Sequence, residues 1–139
     1  MQTEFVIATQ GPGLTEITGT VARWLSGAGD GVLTLMVRHT SASLLIQENA
    51  DPDVQTDLIE WLDRLVPGTD EPSMSWLRHT AEGADDMPAH IKAALLPVSL
   101  QIPVAGGRMR LGTWQGIYLV EHRLAPHRRS IAALFQPMG

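Results

Sequence analysis

The chain has no cysteine. That excludes a disulfide scaffold and thiolate metal sites, so any metal must be held by His, Asp or Glu. No run of Lys or Arg exceeds two residues and the formal net charge is −5. Nucleic-acid binding is therefore not expected, because neutralising phosphates needs a clustered basic face. The longest apolar runs fall far short of the roughly 20 residues that span a bilayer. The opening residues lack a basic segment followed by an apolar run, so neither a signal peptide nor a membrane role is expected. The absence of cysteine fits a cytoplasmic protein. There is no His-Glu-x-x-His or His-x-His pattern, no glycine-rich phosphate loop and no G-x-S-x-G elbow. No repeat or low-complexity tract interrupts the sequence.

What is present suffices for one domain over residues 1–139. The hydrophobic fraction is 44% and the charged fraction 18%, which excludes a disordered polar chain. A chain this long buries about two-thirds of its unfolded surface and needs no staple to fold. Residues 3–9 read as a strand ended by Gly11-Pro12-Gly13. Leu14, Ile17, Val21, Trp24 and Leu25 follow helical spacing, which Gly27 and Gly29 stop. Residues 32–39 and 43–48 read as strands. Asp51-Pro52-Asp53 is a helix start, with a capping carboxylate and then proline in the first turn. Val54, Leu58, Leu62 and Leu65 form its stripe, and Pro67-Gly68 ends it. Residues 68–78 look like a loop. Asp85-Asp86-Met87-Pro88 opens a further helix, with Met87, Ile91, Ala94 and Leu95 expected to face inward. Val98, Leu100, Ile102 and Val104 alternate before a Gly106-Gly107 turn. Residues 114–121 and 130–135 complete a β-rich last third. The expected class is α+β, a single compact domain with antiparallel or mixed sheets and about three helices.

Three segments concentrate polar groups. In the first, His39 continues the face of Leu33, Leu35 and Val37, and Glu48 continues that of Ala42, Leu44 and Ile46. Strand ends beside loops can hold such groups partly desolvated. A satisfied core histidine and a solvated strand-end acid are the bland readings. In the second, Asp86 and His90 are four apart and share a helical face, so the carboxylate could orient the imidazole. Asp86 could equally serve only as a cap. In the third, Gln115 and Glu121 share parity with Ile117 and Leu119. Trp114 and His122 share the opposite face with Tyr118 and Val120, and Trp114 reads as a core aromatic. These spacings by themselves lead no further than an α+β domain with a His/acid site.

Read together, the segments resemble the secondary thiamine-phosphate synthase (YjbQ) family. The matching strings are His39-Thr40-Ser41-Ala42-Ser43, Glu48-Asn49 with Asp51-Pro52, and Glu82-Gly83-Ala84-Asp85-Asp86-Met87-Pro88-Ala89-His90-Ile91-Lys92. They continue in Gly112-Thr113-Trp114-Gln115-Gly116-Ile117 and Glu121-His122-Arg123. The resemblance runs from about residue 5 to 135. The stretch Leu124-Ala125-Pro126-His127-Arg128 departs from a Gly-rich turn found in many relatives, and Leu77-Arg78 replaces a common aromatic.

The resemblance implies a YjbQ-like α+β fold, a homotrimer and a thiamine-phosphate synthase side activity. That reaction joins a pyrimidine-methyl diphosphate to a thiazole phosphate and releases diphosphate. It implies a pocket for a divalent metal, zinc or magnesium, with His39, His79 and His90 as ligands. Glu121 is implied as the acid/base group, with Glu48 and Asp86 as alternates. Departing diphosphate needs charge neutralisation, by the metal or by Lys92 and Arg129. Thr40, Ser41 and Ser43 could donate to phosphate, Asn49 and Gln115 could line the substrate, and Trp114 could stack on a heterocycle. The usual synthase is a (β/α)₈ barrel of roughly 200 residues or more, so such an activity here would be convergent. A non-catalytic module binding a phosphorylated or anionic metabolite, or a purely structural polar network, would use the same residues.

Overall fold

The computed structural model describes residues 1–139. The order of elements is β1 (Gln2–Thr9), β2 (Gly13–Glu16), α1 (Thr18–Leu25), β3 (Gly31–Val37), β4 (Ala42–Glu48), α2 (Pro52–Leu65), a 3₁₀ turn at Pro72–Met74, α3 (Asp86–Leu95), β5 (Ser99–Ala105), β6 (Arg108–Met109), β7 (Gln115–Glu121) and β8 (His127–Pro137). This is the expected α+β class with three α-helices, and every strand pairing is antiparallel.

One sheet runs β1-β8-β3-β5-β6 and a second runs β2-β7-β4. Period-two alternation decides which residues lie between them. Leu33, Leu35 and Val37 of β3, Ile131, Ala133 and Phe135 of β8, and Ile102 and Val104 of β5 meet Ala42 and Leu44 of β4 and Ile117 and Leu119 of β7. Ile17, Val21 and Leu25 of α1 complete that core. Tyr118 and Val120, on the other face of β7, are also buried, and Gln55 of α2 donates to the Tyr118 hydroxyl at 3.2 Å. β7 is thus central and covered on both faces, which is why its apolar run is nearly continuous.

Two glycine positions are required by geometry. A Cβ at Gly31 would lie 2.2 Å from the Gln136 carbonyl oxygen, so β3 and β8 could not pair there around a larger residue. Gly106 and Gly107 have φ of 58° and 74°, which suits the two-residue hairpin joining β5 to β6.

Three expectations are corrected. The helix expected from Leu14 starts only at Thr18, because residues 13–16 form β2 on the edge of β7. The Ile17 N–H donates to the Ile117 carbonyl at 2.8 Å and ties this junction to β7. Sheet pairing overrode local helical spacing. In α2 the Asp51 cap is as expected, accepting from the Asp53 N–H at 2.9 Å, but Leu65 is exposed and Val66 beyond the helix is buried instead. In α3 the buried residues are Asp86, Pro88, Ala89 and Lys92, not the Met87-Ile91-Leu95 face. The helix packs against a polar rim containing Arg123 and Asp63, so its charged residues turn inward.

Candidate metal centre on helix α3

Helix α3 begins at Asp86, so Asp86 and His90 project from one face a single turn apart. His79, in the loop before the helix, folds back beside them. Its Nε2 lies 2.8 Å from Asp86 Oδ2, and His90 Nε2 lies 3.3 Å from the same oxygen. The ligand atoms of His79, Asp86 and His90 all lie within 4.8 Å of one another. Donors about 2.1 Å from one tetrahedral metal stand about 3.4 Å apart, so this spacing needs only a small adjustment to receive an ion.

Supporting contacts orient the group. His90 Nδ1 is 2.8 Å from the Thr40 carbonyl oxygen. A carbonyl only accepts, so the ring proton is on Nδ1 and Nε2 keeps its lone pair for a ligand. Asp86 is 2% exposed, and its other oxygen accepts from Arg123 Nη1 at 2.7 Å. Arg123 also donates through Nε to Asp85 at 2.9 Å. Burial alone would raise the Asp86 carboxyl. The hydrogen bonds from His79 and Arg123 and the Arg123 charge outweigh that and hold it below the ordinary carboxylate range. Asp86 is therefore an anion at neutral pH, as a metal ligand must be.

His39 does not join this group. Its Nε2 accepts the Ser130 backbone N–H at 2.8 Å, so the neutral ring carries its proton on Nδ1. Burial, and then the positive charge of Arg129, lowers its pKa. The expected meeting of His39 with His79 and His90 is replaced by a pair of histidines and Asp86.

Glu121 sits on the face between the sheets, where parity placed it, but it meets Arg129 rather than His79 or His90. One carboxylate oxygen accepts from Thr9 Oγ1 at 2.6 Å and from Arg129 Nε at 2.8 Å. The other accepts from the His122 and Arg123 backbone N–H groups and from Arg129 Nη2. Burial would raise this carboxyl, yet the Arg129 and Thr9 hydrogen bonds bring it below its usual range. With five donors around it, Glu121 has no free lone pair for proton transfer in this arrangement. The geometry is that of a structural ion pair.

The remaining candidates are dispersed. Arg129 also donates to the Ser41 hydroxyl at 2.9 Å and to its carbonyl, so both residues belong to the Glu121 network. Thr40 contributes its carbonyl to His90. Glu48 accepts from the Ala50 and Asp51 N–H groups and shapes the turn into α2. Asn49 donates its backbone N–H to the Trp114 carbonyl, and Gln115 accepts from the Gly112 N–H. Trp114 is 63% exposed, which corrects its reading as a core aromatic. Ser43 and Lys92 lie on the helix-covered side of the smaller sheet, with His122 and Asp63 as their respective partners.

Sequence reasoning singled out Asp86 and the two histidines but missed Arg123 as the residue that holds Asp85 and Asp86. The only signal was its place directly after Glu121-His122.

The family model described as "UPF0047 protein YjbQ-like" matches residues 3–137. The chain belongs to that family. It is 52% identical over 128 residues to the UPF0047 protein sll1880 of Synechocystis, covering 91% of this chain and 84% of the relative. It is 46% identical over 123 residues to the UPF0047 protein YjbQ of Salmonella typhimurium, covering 86% of each. Among solved structures, APE1520 of Aeropyrum pernix superposes with a TM-score of 0.86 at 30% identity, covering 99% of each chain. A yjbq/upf0047 family protein of Clostridium acetobutylicum superposes with a TM-score of 0.83 at 34% identity, covering 96% of this chain and 99% of the other. These UPF0047 names state no activity, and none of them mentions thiamine phosphate. No helix of the chain is long and apolar enough to cross a membrane.

Proposed function

We propose that His79, Asp86 and His90 hold a divalent metal and that this centre acts on a small phosphorylated metabolite. The observation that supports it is the spacing of the three donors around one buried carboxylate, with a His90 tautomer already set for ligation. Two imidazoles and one carboxylate suit zinc better than magnesium, which prefers oxygen and keeps its waters. Three protein ligands leave a position for substrate oxygen, the pattern of catalytic rather than structural sites. Bound there, the metal would neutralise charge developing on phosphate oxygens.

The protein's own part is orientation. Arg123 fixes Asp86, and the Thr40 carbonyl fixes His90. The exposed His79 lies on the solvent side, where a substrate would arrive. A transferase step of the thiamine-phosphate synthase type, with diphosphate as leaving group, fits such a site and is the activity to assay first. Asp86, His79 and His90 take over the roles first expected of Glu121 and His39.

Metal analysis of the purified protein should return about one zinc per chain. Asp86→Asn should abolish it while leaving the circular dichroism spectrum native. Diphosphate release from the two thiamine precursors should be measurable in the wild type and lost in Asp86→Asn. Metal binding without turnover would favour a metabolite-binding module, and absence of metal at saturating zinc would refute the centre.

The homotrimer also belongs to this proposal. Trp61, Leu65, Trp76, Leu95 and Trp114 are all more than half exposed. A subunit contact would take such side chains out of water. Light scattering at micromolar concentration should give three times the chain mass, and a stable monomer would refute it.

A further inference from the structure

A cavity of about 300 Å³ opens on a different face of α3 from His79, Asp86 and His90. Asp85, Pro88 and Lys92 line it, three and four residues apart, whereas Asp86 and His90 turn away from it. Asp63, Val66 and Pro67 at the end of α2 form a second wall, and Pro12, Asp70, Ala84 and Leu124 stand around the mouth. His122, just past the end of β7, completes the lining.

Two buried basic side chains face this space. His122 is 4% exposed and its Nε2 lies 2.9 Å from Ser43 Oγ. The Ser43 hydroxyl has no other side-chain hydrogen bond, so its proton goes to Nε2 and the ring proton sits on Nδ1. That Nδ1–H bonds to no protein atom, yet no buried side-chain polar atom lacks a partner, so Nδ1 reaches the cavity. Lys92 is 8% exposed. Its ammonium has three donors, of which Asp63 Oδ1 takes one at 2.5 Å. The neighbouring Asp85 is occupied by Arg123 and the Leu124 N–H. Asp63 gives one oxygen to Lys92, and Asp85 gives one to Arg123 and Leu124; the unspent donors are two on the Lys92 ammonium and the His122 Nδ1–H.

We infer that this cavity is an oxyanion-binding site, in which the Lys92 ammonium and the His122 Nδ1–H take the phosphate or carboxylate group of a small molecule whose body rests on the proline walls. Charge-assisted hydrogen bonds of this kind gain strength where water is excluded. A volume near 300 Å³ is at the lower end for metabolite pockets and admits a group of phosphate or small-acid size with a short body. The second oxygens of Asp63 and Asp85 and the rim carboxylate of Asp70 oppose the anion, and Asp70 is the one of them not tied to a basic side chain. The site does not depend on the metal at His79, Asp86 and His90, and its test is made without metal.

Inorganic phosphate and propionate are titrated separately into chelator-treated protein by calorimetry. One saturable site per chain is expected, with phosphate tighter if the physiological group is a phosphate and propionate tighter if it is a carboxylate. Lys92→Gln should weaken the preferred anion at least tenfold. Because that change leaves Asp63 without its partner, Ala84→Trp is made at an exposed position on the mouth; it should block binding while the melting temperature stays within a few degrees. Asp70→Lys should tighten binding severalfold. No saturable binding of either anion, or binding indifferent to both Ala84→Trp and Asp70→Lys, would overturn the inference.

Discussion

Acidification should destabilise this protein through His122 well before its carboxylates protonate. The ring is buried against the covered face of the smaller sheet. Burial, and then the charge of Lys92, bring its pKa from 6.5 to about 4. In the unfolded chain it titrates at its ordinary value. Above pH 7 both states are neutral and the group contributes no pH dependence. Between pH 6.5 and 4 the unfolded chain binds a proton that the folded chain refuses, so stability falls as pH falls. Linkage puts the loss at about 2 kcal/mol by pH 5 and at about 3 kcal/mol once pH drops below 4. His122→Asn cannot titrate but retains an amide that can face Ser43. Urea unfolding followed by circular dichroism at pH 7 and pH 5 gives the change in stability for each protein. His39, Asp85, Asp86 and Glu121 are present in both, so their contributions cancel in the comparison. The wild type should lose about 2 kcal/mol more than the variant over that interval. Equal losses would mean that His122 accepts a proton in the folded state, and the burial argument would fail.

Glu121→Gln should lower stability by about 3–5 kcal/mol, because Arg129 is left buried without its counter-charge; a variant as stable as wild type in chemical denaturation would refute the structural reading of Glu121. Gly31→Ala should be among the most damaging single changes, since the new Cβ meets the Gln136 carbonyl at 2.2 Å, and soluble expression with an unchanged melting temperature would contradict the register of β3 against β8. Trp114→Ala should alter the stability of the single chain by no more than about 0.5 kcal/mol, as expected for an exposed side chain; a larger calorimetric loss that does not depend on protein concentration would contradict that exposure.

Much of the architecture was legible because it rests on local patterns. Alternation at 33, 35 and 37 and at 102 and 104 assigns core faces with no knowledge of the partner strand. Asp51-Pro52-Asp53 carries a helix start in its own chemistry, and Gly106-Gly107 carries a hairpin in its backbone freedom. Residues 13–16 were misread because Leu14 and Ile17 satisfy helical spacing as well as an edge strand. Only the edge of β7, more than a hundred residues away, decides between them.

The α3 face was misread for a related reason. Hydrophobicity alone turns Met87 and Leu95 inward, but the surface beneath the helix presents Arg123 and Asp63, so Asp86 and Lys92 are buried there.

What the amino-acid sequence by itself determined was the class of fold, the family, and the short list of His, Asp and Glu side chains able to carry chemistry. Those follow from residue types and their spacing along the chain. Which of them act together was decided by the tertiary structure. His79 meets Asp86 because a loop folds back onto the helix, His39 is turned aside by a backbone N–H from β8, and Glu121 is saturated by an arginine eight residues on. Each outcome rests on hydrogen-bond partners brought together from distant or separate elements. A hydrogen bond acts within about 3 Å, a proximity that spacing along one strand or helix does not encode.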